Sequence, residues 1–209
     1  MKTVLVVVLA LVLVGGCGDQ PAFAPLPSDA VVLAFGDSLT HGTGAAPGED
    51  YPAHLAVLSG WQVINAGVPG DTAVGASDRL RQLLSRHDPQ LVIIMLGGND
   101  FLRQRREPAV KSALQALLAQ VRAVGAMPVL VAVPRVSLLR GATGLLDDAA
   151  LYAELADEQQ VPLVSDLLSD LLSQTGLRSD QIHLNAEGYR QLAEGVFAHL
   201  REWGLAVRR

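Results

Sequence analysis

A serine and a histidine far apart in the chain carry the chemistry that this sequence suggests. Ser38 lies in the stretch VVLAFGDSLTHGTG (31–44), and His183 lies in SDQIHLN (179–185), three residues after Asp180. A serine hydroxyl is a poor nucleophile until a base takes its proton, and an imidazole does so near neutral pH. Asp180 is close enough in sequence to hold that imidazole in place. These three residue types together predict acyl transfer.

Two further segments are suited to stabilising the negative charge that develops when a carbonyl group is attacked. The stretch GVPGDT (67–72) carries two glycines, and small glycine turns expose backbone N–H groups. The stretch GGNDFLRQRR (97–106) carries Asn99, whose side chain offers another N–H donor. Loss of one such donor costs about 2.7–4 kcal/mol in the transition state. Both segments are therefore candidates for an oxyanion hole.

Each of these residues also has an ordinary structural interpretation. Ser38 taken alone is typical of the turn that follows a strand, and Asp37 and Asp100 are typical of aspartates that bind loop backbone. His41 lies only three residues after Ser38 and is the alternative histidine close enough in sequence to reach the crevice. His183 alone combines a loop position with a preceding aspartate, so it is the predicted base. The remaining histidines lie in or at the ends of predicted helices: His54, His87 and His199.

No metal and no cofactor are expected. His183 and Asp180 have the chemistry of metal ligands, but no further histidine or carboxylate pair has metal-ligand spacing. No lysine follows the glycine turns in the P-loop pattern, and G-x-G-x-x-G is missing after the first predicted strand. The glycine turns are therefore not predicted to bind phosphate.

Five apolar runs alternate with helical segments along the chain. The third and fourth runs are almost continuously apolar, which is typical of parallel strands buried on both faces. The last helix has Asn185 as its predicted N-cap. The predicted strands are 31–35, 61–66, 91–96, 128–133 and 162–165, and the predicted helices are 51–59, 74–86, 107–124, 147–159 and 186–203.

This alternation predicts the α/β class, as a three-layer, doubly wound parallel sheet of five strands. Such sheets bind ligands outside the carboxyl ends of their strands. The segments with Ser38, the glycine turn and Asn99 follow the first, second and third predicted strands, and the His183 segment precedes the last helix. All four segments are therefore expected at one crevice.

The four blocks GDSL, GVPGDT, GGND and DQIH resemble those of the SGNH hydrolases, also called GDSL esterases or lipases. The resemblance runs from about Ala30 to Trp203, with the blocks in the family order. It is closest to the bacterial periplasmic branch of thioesterases, lysophospholipases and arylesterases. The resemblance implies a flavodoxin-like fold and makes Ser38 the nucleophile.

The same resemblance implies the other roles in the site. The N–H groups of Ser38 and Gly70 and the side chain of Asn99 would form the oxyanion hole. His183 would act first as general base and then as general acid, with Asp180 orienting its ring. The family often has proline after this histidine, whereas this chain has Leu184. That difference is expected to loosen the loop without removing a catalytic group.

Two loops expected beside the crevice suggest the substrate. The stretches FLRQRREP (101–108) and RVSLLRGATGLL (135–146) mix leucines with arginines, which predicts an acyl groove with a cationic rim; arginines that merely solvate the surface are the alternative. With the resemblance, this predicts hydrolysis of acyl esters, acyl thioesters or lysophospholipids through an acyl-enzyme. The alternatives are removal of acetyl groups from cell-envelope carbohydrate and a non-catalytic lipoprotein that only binds a ligand.

Residues 1–16 are predicted to be a lipoprotein signal peptide. Lys2 precedes the apolar run 4–14, which is too short to span a bilayer, and Cys17 follows two glycines. The pattern resembles the bacterial signal whose cleavage leaves an acylated N-terminal cysteine. We therefore expect a membrane-anchored lipoprotein of the bacterial cell envelope, facing the periplasm. A simple signal peptide or an uncleaved anchor is the alternative.

The rest of the chain is predicted to be a short tether and one domain. Residues 17–29 would be the lipidated Cys17 and a proline-containing tether, and residues 30–209 the hydrolase domain. Cys17 is the only cysteine, so an intramolecular disulfide is excluded. The net charge is −5 and there is no basic stripe with interleaved aromatic residues, which argues against a nucleic-acid partner. A monomer is the default expectation.

Overall fold

The computed structural model describes residues 23–135 and 146–207. Strands alternate with helices along this part of the chain. The strands are β1 (Val31–Gly36), β2 (Gln62–Gly67), β3 (Leu91–Met95), β4 (Met127–Val131) and β5 (Leu163–Val164). The helices are α1 (Ser38–His41), α2 (Tyr51–Ser59), α3 (Ser77–His87), α4 (Gly98–Leu102), α5 (Glu107–Ala123), α6 (Leu151–Gln159), α7 (Leu167–Ser173) and α8 (Ala186–Glu202), with a 3₁₀ helix at Thr175–Leu177.

The strands form one parallel sheet in the order β2-β1-β3-β4-β5. Val32 of β1 pairs with Val63 on one side and with Leu91 on the other, which fixes the register. All residues of β3 and all but the first of β4 are buried, because helices cover both faces of the sheet. The predicted α/β fold with a five-stranded parallel sheet is confirmed.

The helices pack in two groups. One group consists of α2 and α7 against α8, and the other of α3 and α6 against α5. On α8 the buried face includes Leu192, Val196 and Leu200, at the spacing of a helix that lies on a core. The Asn185 side chain accepts the N–H of Gly188 at 3.0 Å, so the predicted N-cap is present.

Three short helices were not predicted from the sequence. Helices α1 and α4 have four and five residues, too few to show a helical period. Helix α7, with the sequence LLSDLLS, comes directly after the two-residue strand β5 and is mostly buried. The helix predicted at 147–159 begins later, at Leu151, because Asp148 forms an isolated bridge with Pro134.

The segment before β1 is bound to the end of the chain. The N–H of Phe23 donates to the carbonyl of Trp203 at 3.0 Å, and that of Leu26 donates to the carbonyl of Leu205 at 2.9 Å. Both Phe23 and Leu26 pack partly buried against the core. The segment lies at the amino edge of the sheet, since it leads into β1. From Phe23 onward, the segment predicted as a tether therefore lies on the domain.

The predicted signal peptide and Cys17 lie outside the described residues, as does the part of the β4–α6 loop from 136 to 145. In the part of the chain that is described, no helix is long and apolar enough to cross a bilayer.

Candidate active site

Ser38 is placed by the sharp turn that ends β1. A side chain at Gly36 would collide with the side chain of Thr40 and come within 2.7 Å of the Met95 carbonyl oxygen, so only glycine fits there. The buried Asp37 then caps α1, because its Oδ1 accepts the N–H of Leu39 at 3.1 Å. Ser38 begins this helix at the carboxyl edge of the sheet.

The loop before α8 brings the predicted base to Ser38. The Nε2 atom of His183 lies 3.0 Å from the Oγ atom of Ser38, and its Nδ1 atom lies 2.7 Å from Oδ2 of Asp180. Oδ1 of Asp180 accepts the N–H groups of Ile182 and His183, each at 2.8 Å. The structure thus joins Ser38, His183 and Asp180 in one chain of hydrogen bonds, the arrangement that activates a serine nucleophile.

Asp180 is held in its charged form. Partial burial opposes its ionisation, but the hydrogen bonds from the His183 ring and from two backbone N–H groups outweigh burial and keep the pKa of Asp180 below its usual value. An ionised carboxylate on Nδ1 favours the tautomer in which Nε2 is free to accept the serine proton. The geometry therefore suits His183 to the role of general base.

Leu184 takes the place at which the resemblance leads one to expect proline. Its side chain is fully buried, and a Cβ at Gly188 on α8 would come within 3.0 Å of it. The N–H of Ser179 donates to the His183 carbonyl at 3.0 Å, and that of Asn185 donates to the Leu177 carbonyl at 2.9 Å. These contacts close the loop on both sides of the histidine, and the loosening expected from Leu184 stays a prediction.

Asn99 lies on α4, directly after β3, and shares the cleft with Ser38 and His183. Its Nδ2 atom donates to Oδ2 of Asp37 at 3.0 Å. A primary amide has two N–H groups, so this bond fixes the side chain and leaves a second donor. Asn99 is therefore placed where it could donate to an oxyanion formed at Ser38.

Gly70 is the predicted oxyanion donor that does not line this cleft. It lies in the neighbouring turn, where the N–H of Asp71 donates to the Val68 carbonyl at 3.0 Å. Gly70 has a φ of +80°, as position i+2 of a type II turn requires, and glycine adopts that angle without strain. Its assignment as an oxyanion donor stays a prediction.

Helix α4 and the residues after it tie the Gly70 turn to the rest of the site. Nη2 of Arg103 donates to the Gly70 carbonyl at 2.9 Å. Asp100 is fully buried and accepts the N–H of Ala73 at 2.7 Å, with Arg105 Nε 3.4 Å from its other oxygen. Burial raises the pKa of Asp100 against these contacts. Asp100 thus binds loop backbone, the structural role that its sequence position suggested.

Asp37 is a buried carboxylate beside the nucleophile. Burial raises its pKa to about 6, against the hydrogen bonds from Leu39 and Asn99 and the nearby His183. The folded protein therefore holds this proton more tightly than the unfolded chain, whose ordinary value is 3.8. Any contribution of the Asp37 proton to stability is full below about pH 4 and is lost as the pH rises through about 6.

Replacing Asp37 with asparagine should remove the loss of stability that accompanies deprotonation of Asp37. Relative to the wild type, the free energy of unfolding of Asp37→Asn is expected to rise by on the order of 3 kcal/mol between pH 4 and pH 7. Urea unfolding at several pH values measures the difference. Asp78→Asn, at an exposed aspartate on α3, is the matched surface control. A difference between wild type and Asp37→Asn that does not change with pH would contradict the assignment.

The cleft at Ser38 is lined mainly by aliphatic side chains. The space in this cleft that water can reach has a volume of about 30 Å³, enough for roughly two water molecules. The lining comes from the loops after β1, β3 and β4, from α7 and from the His183 loop, as the crevice rule for such sheets predicts. The aliphatic residues are Leu39, Leu102, Val133, Leu172 and Ile182.

The other histidines do not join this arrangement in the described structure. His41 is exposed at the end of α1, and His199 lies 3.8 Å from Glu202 on α8. His54 and His87 are half-buried on α2 and α3. Within residues 23–135 and 146–207, no group of three histidine, cysteine or acidic residues is placed to hold a metal ion.

Arg79 is a residue near the site that the sequence analysis missed. It lies on α3, and its guanidinium group contacts the ends of β1 and β2 and Asp71. A signal was available: Arg79 follows the buried Ala76 by three residues and precedes Leu83 by four. That spacing places a cation at the edge of the apolar face of the helix.

Comparison with known proteins gives one consistent family. Residues 34–191 match the model of the GDSL-like Lipase/Acylhydrolase family. The chain is 31% identical over 175 residues to "Thioesterase 1/protease 1/lysophospholipase L1" of Escherichia coli, with 81% of this chain and 83% of that protein covered. It is 32% identical over 177 residues to an "Arylesterase" of Vibrio mimicus, covering 81% and 87%.

A solved structure of TesA has the same fold. It superposes with a TM-score of 0.73 at 27% identity, over 83% of this chain and 99% of the TesA chain. The family match covers more than half of the sequence, and the four blocks that carry the candidate site lie inside it. The chain therefore belongs to the GDSL-like lipase and acylhydrolase family, the SGNH hydrolases, and is a carboxylic ester hydrolase.

Proposed function

We propose that this hydrolase cleaves esters and thioesters of apolar acyl groups through an acyl-enzyme on Ser38. The observation that carries the proposal is the hydrogen-bonded series Ser38–His183–Asp180, whose Ser38 Oγ to His183 Nε2 distance is 3.0 Å, at the floor of an aliphatic cleft. Such a series is the arrangement by which a serine becomes a nucleophile at neutral pH.

The proposed reaction has two halves. In the first, Ser38 Oγ attacks the carbonyl carbon while His183 Nε2 takes the hydroxyl proton, and the oxygen that becomes negative accepts hydrogen bonds from the oxyanion donors. The bond to the alcohol or thiol then breaks, and the imidazolium returns the proton to that leaving group. In the second half, water repeats these steps on the acyl-enzyme, and Ser38 and the free acid are restored.

The lining of the cleft supports an apolar acyl group. Leu102, Leu172 and Ile182 offer it contact surface, whereas a site for acetylated carbohydrate would need polar groups for the sugar hydroxyls. The names of the relatives from Escherichia coli and Vibrio mimicus, which include thioesterase, lysophospholipase and arylesterase, agree with acyl esters of varied alcohols and thiols. The small volume of the cleft favours short acyl chains within this class.

The arginines after α4 give less support to a cationic rim. Arg103 donates to the Gly70 carbonyl and Arg105 lies against the buried Asp100, so both already have partners within the protein. Arg135 pairs with Glu107 at 2.8 Å. These contacts favour bracing of the loops over binding of an anionic head group.

The predicted membrane anchor belongs to the same proposal. The apolar run at 4–14 followed by Cys17 supports a lipoprotein that carries this domain in the bacterial cell envelope. Each buried methylene of an acyl chain contributes about 0.8 kcal/mol to membrane binding. The intact mass of protein extracted from membranes, compared with that of Cys17→Ser, checks the anchor.

A substrate panel tests the proposed activity. The purified protein is incubated with p-nitrophenyl esters from acetyl to palmitoyl, an acyl-CoA, a lysophospholipid and an acetylated oligosaccharide. We expect kcat/KM to be highest for short acyl chains and at least about tenfold lower for the oligosaccharide, because the described lining of the cleft offers mainly aliphatic contact surface. Hydrolysis of the oligosaccharide alone would favour the carbohydrate esterase. No turnover and no labelling by a fluorophosphonate would favour the binding module.

A further inference from the structure

Arg79 joins the ends of the two strands that precede the site. Its Nη1 atom donates to the Ala66 carbonyl at 2.6 Å, near the end of β2, and its Nη2 atom donates to the Gly36 carbonyl at 3.0 Å, at the end of β1. Gly36 is two residues before Ser38. A single guanidinium group thus holds the segment that leads to the nucleophile and the segment that leads to the Gly70 turn.

The remaining donor of the guanidinium group, Nε–H, binds the turn that contains Gly70. Nε of Arg79 donates to Oδ2 of Asp71 at 2.8 Å, and Oδ1 of Asp71 accepts the N–H of Thr72 at 2.8 Å. Asp71 directly follows Gly70, and its own N–H closes the turn on the Val68 carbonyl. The turn is therefore fastened to Arg79 through the residue next to Gly70.

The position of Arg79 makes this connection rigid. Its side chain is only 24% exposed, and its guanidinium carbon lies 3.9 Å from the centre of the Phe35 ring on β1. A guanidinium group is planar, with its donors in a fixed fork, so three acceptors on two strands and a turn are held at fixed relative positions. A lysine has one ammonium group and cannot reproduce this set of bonds.

The orientation of the Gly70 N–H depends on the geometry of this turn. Type I and type II turns differ in the direction of the peptide between positions i+1 and i+2, which here is the peptide that carries the Gly70 N–H. Glycine permits both forms, so the residue itself does not select one. The contacts around the turn therefore help to hold one form, and the half-buried Arg79–Asp71 pair is one of these contacts.

We propose that Arg79 is a positioning residue for catalysis, which acts through Asp71 to orient the Gly70 N–H toward the oxyanion formed at Ser38. The inference rests on the proposed function, with Gly70 as the oxyanion donor that the family resemblance implies. Arg79 does not touch the substrate. It fixes the distance and angle between the nucleophile and one of the groups that stabilise the negative charge.

The test uses Asp71→Asn, which removes the link to the turn and leaves the two bonds of Arg79 to the strands. The amide oxygen of the new asparagine still accepts the N–H of Thr72. Its NH2 group faces the Nε–H of Arg79, and two donors cannot form a hydrogen bond. We expect kcat for p-nitrophenyl butyrate to fall about 10- to 100-fold, because a misplaced donor loses transition-state stabilisation. KM should stay within about twofold of the wild-type value, because Asp71 does not contact the substrate. Tm should stay near that of the wild type, because no core side chain is changed.

Two further variants complete the experiment. Arg79→Lys should lower kcat by a similar factor, and the double variant with Asp71→Asn should be no slower than Arg79→Lys alone, because both changes break one connection. Arg81→Ala is the matched control, since Arg81 lies on the same helix, exposed and paired with Asp78. Its kcat should equal that of the wild type.

The outcomes separate the inference from the proposed function. If the wild type is active but kcat is unchanged in Asp71→Asn, the positioning role of Arg79 is overturned and the proposed function stands. The same holds if the losses of kcat multiply in the double variant. A wild type that neither turns over esters nor reacts with a fluorophosphonate would overturn the proposed function and this inference together. A loss of kcat in Asp71→Asn that comes with an equal loss of folded protein would show a structural role only and would also overturn it.

Discussion

Ser38→Ala is expected to lower kcat for p-nitrophenyl butyrate by about 10⁵-fold, the scale seen when the nucleophile of a serine hydrolase is removed. The variant loses only the hydroxyl oxygen that lies 3.0 Å from His183 Nε2. Alanine keeps the backbone N–H at position 38, so the predicted oxyanion donors remain. A residual rate above that of the uncatalysed reaction is therefore expected from substrate binding and the oxyanion hole.

The measurement is steady-state hydrolysis together with labelling by a fluorophosphonate, which reacts only with an activated serine. Ser179→Ala is the matched control, because Ser179 lies in the same loop as His183 and its Oγ donates to the His183 carbonyl at 3.4 Å. We expect Ser179→Ala to keep kcat within a few-fold of the wild type. Fluorophosphonate labelling that persists in Ser38→Ala would mean that another residue is the nucleophile.

His183→Ala is expected to lower kcat by a similar factor of about 10⁵, because the Ser38 proton then has no acceptor. Asp180→Asn should cost about 10⁴-fold, since an amide at 2.7 Å from Nδ1 presents N–H where the carboxylate accepts, and this favours the wrong tautomer of the ring. The double variant Ser38→Ala/His183→Ala should be no slower than either single variant, because the two groups act as a unit.

His41→Ala is the control for these histidine variants. His41 lies three residues after Ser38 but is exposed at the end of α1, so its removal should change kcat by less than about threefold. The four variants are compared by stopped-flow or steady-state hydrolysis of the same ester. Equal losses in His41→Ala and His183→Ala would reject His183 as the specific base.

The sheet was predictable because the sequences of its interior strands are compatible with few other structures. The runs at 91–96 and 128–133 are so continuously apolar that only burial on both faces suits them, and the structure places β3 and β4 there. Helix α8 was equally clear, because it combines a helical apolar stripe with an asparagine cap. Strong periodicity and capping therefore fixed the long elements within a few residues.

The short elements and the supporting contacts were not predictable in the same way. Helices α1 and α4 arise because Asp37 and the end of β3 impose a turn, which no local periodicity records. Arg79 was missed because its partners are two backbone carbonyls and Asp71, and the carbonyls come together only when the strands pair. Ser38, Asp180 and His183 were proposed from residue chemistry, whereas their distances follow from the fold.

The attachment of Phe23 and Leu26 to the end of the chain would set which way the domain faces on the proposed anchor at Cys17. These residues lie at the amino edge of the sheet, and Ser38 lies at the carboxyl edge. Under the proposed acylation of Cys17, the six residues 17–22 would reach at most about 20 Å, whereas a domain of this size is about 40 Å across. With the anchor proposed above, the cleft would open away from the membrane, and substrates would arrive from the opposite side.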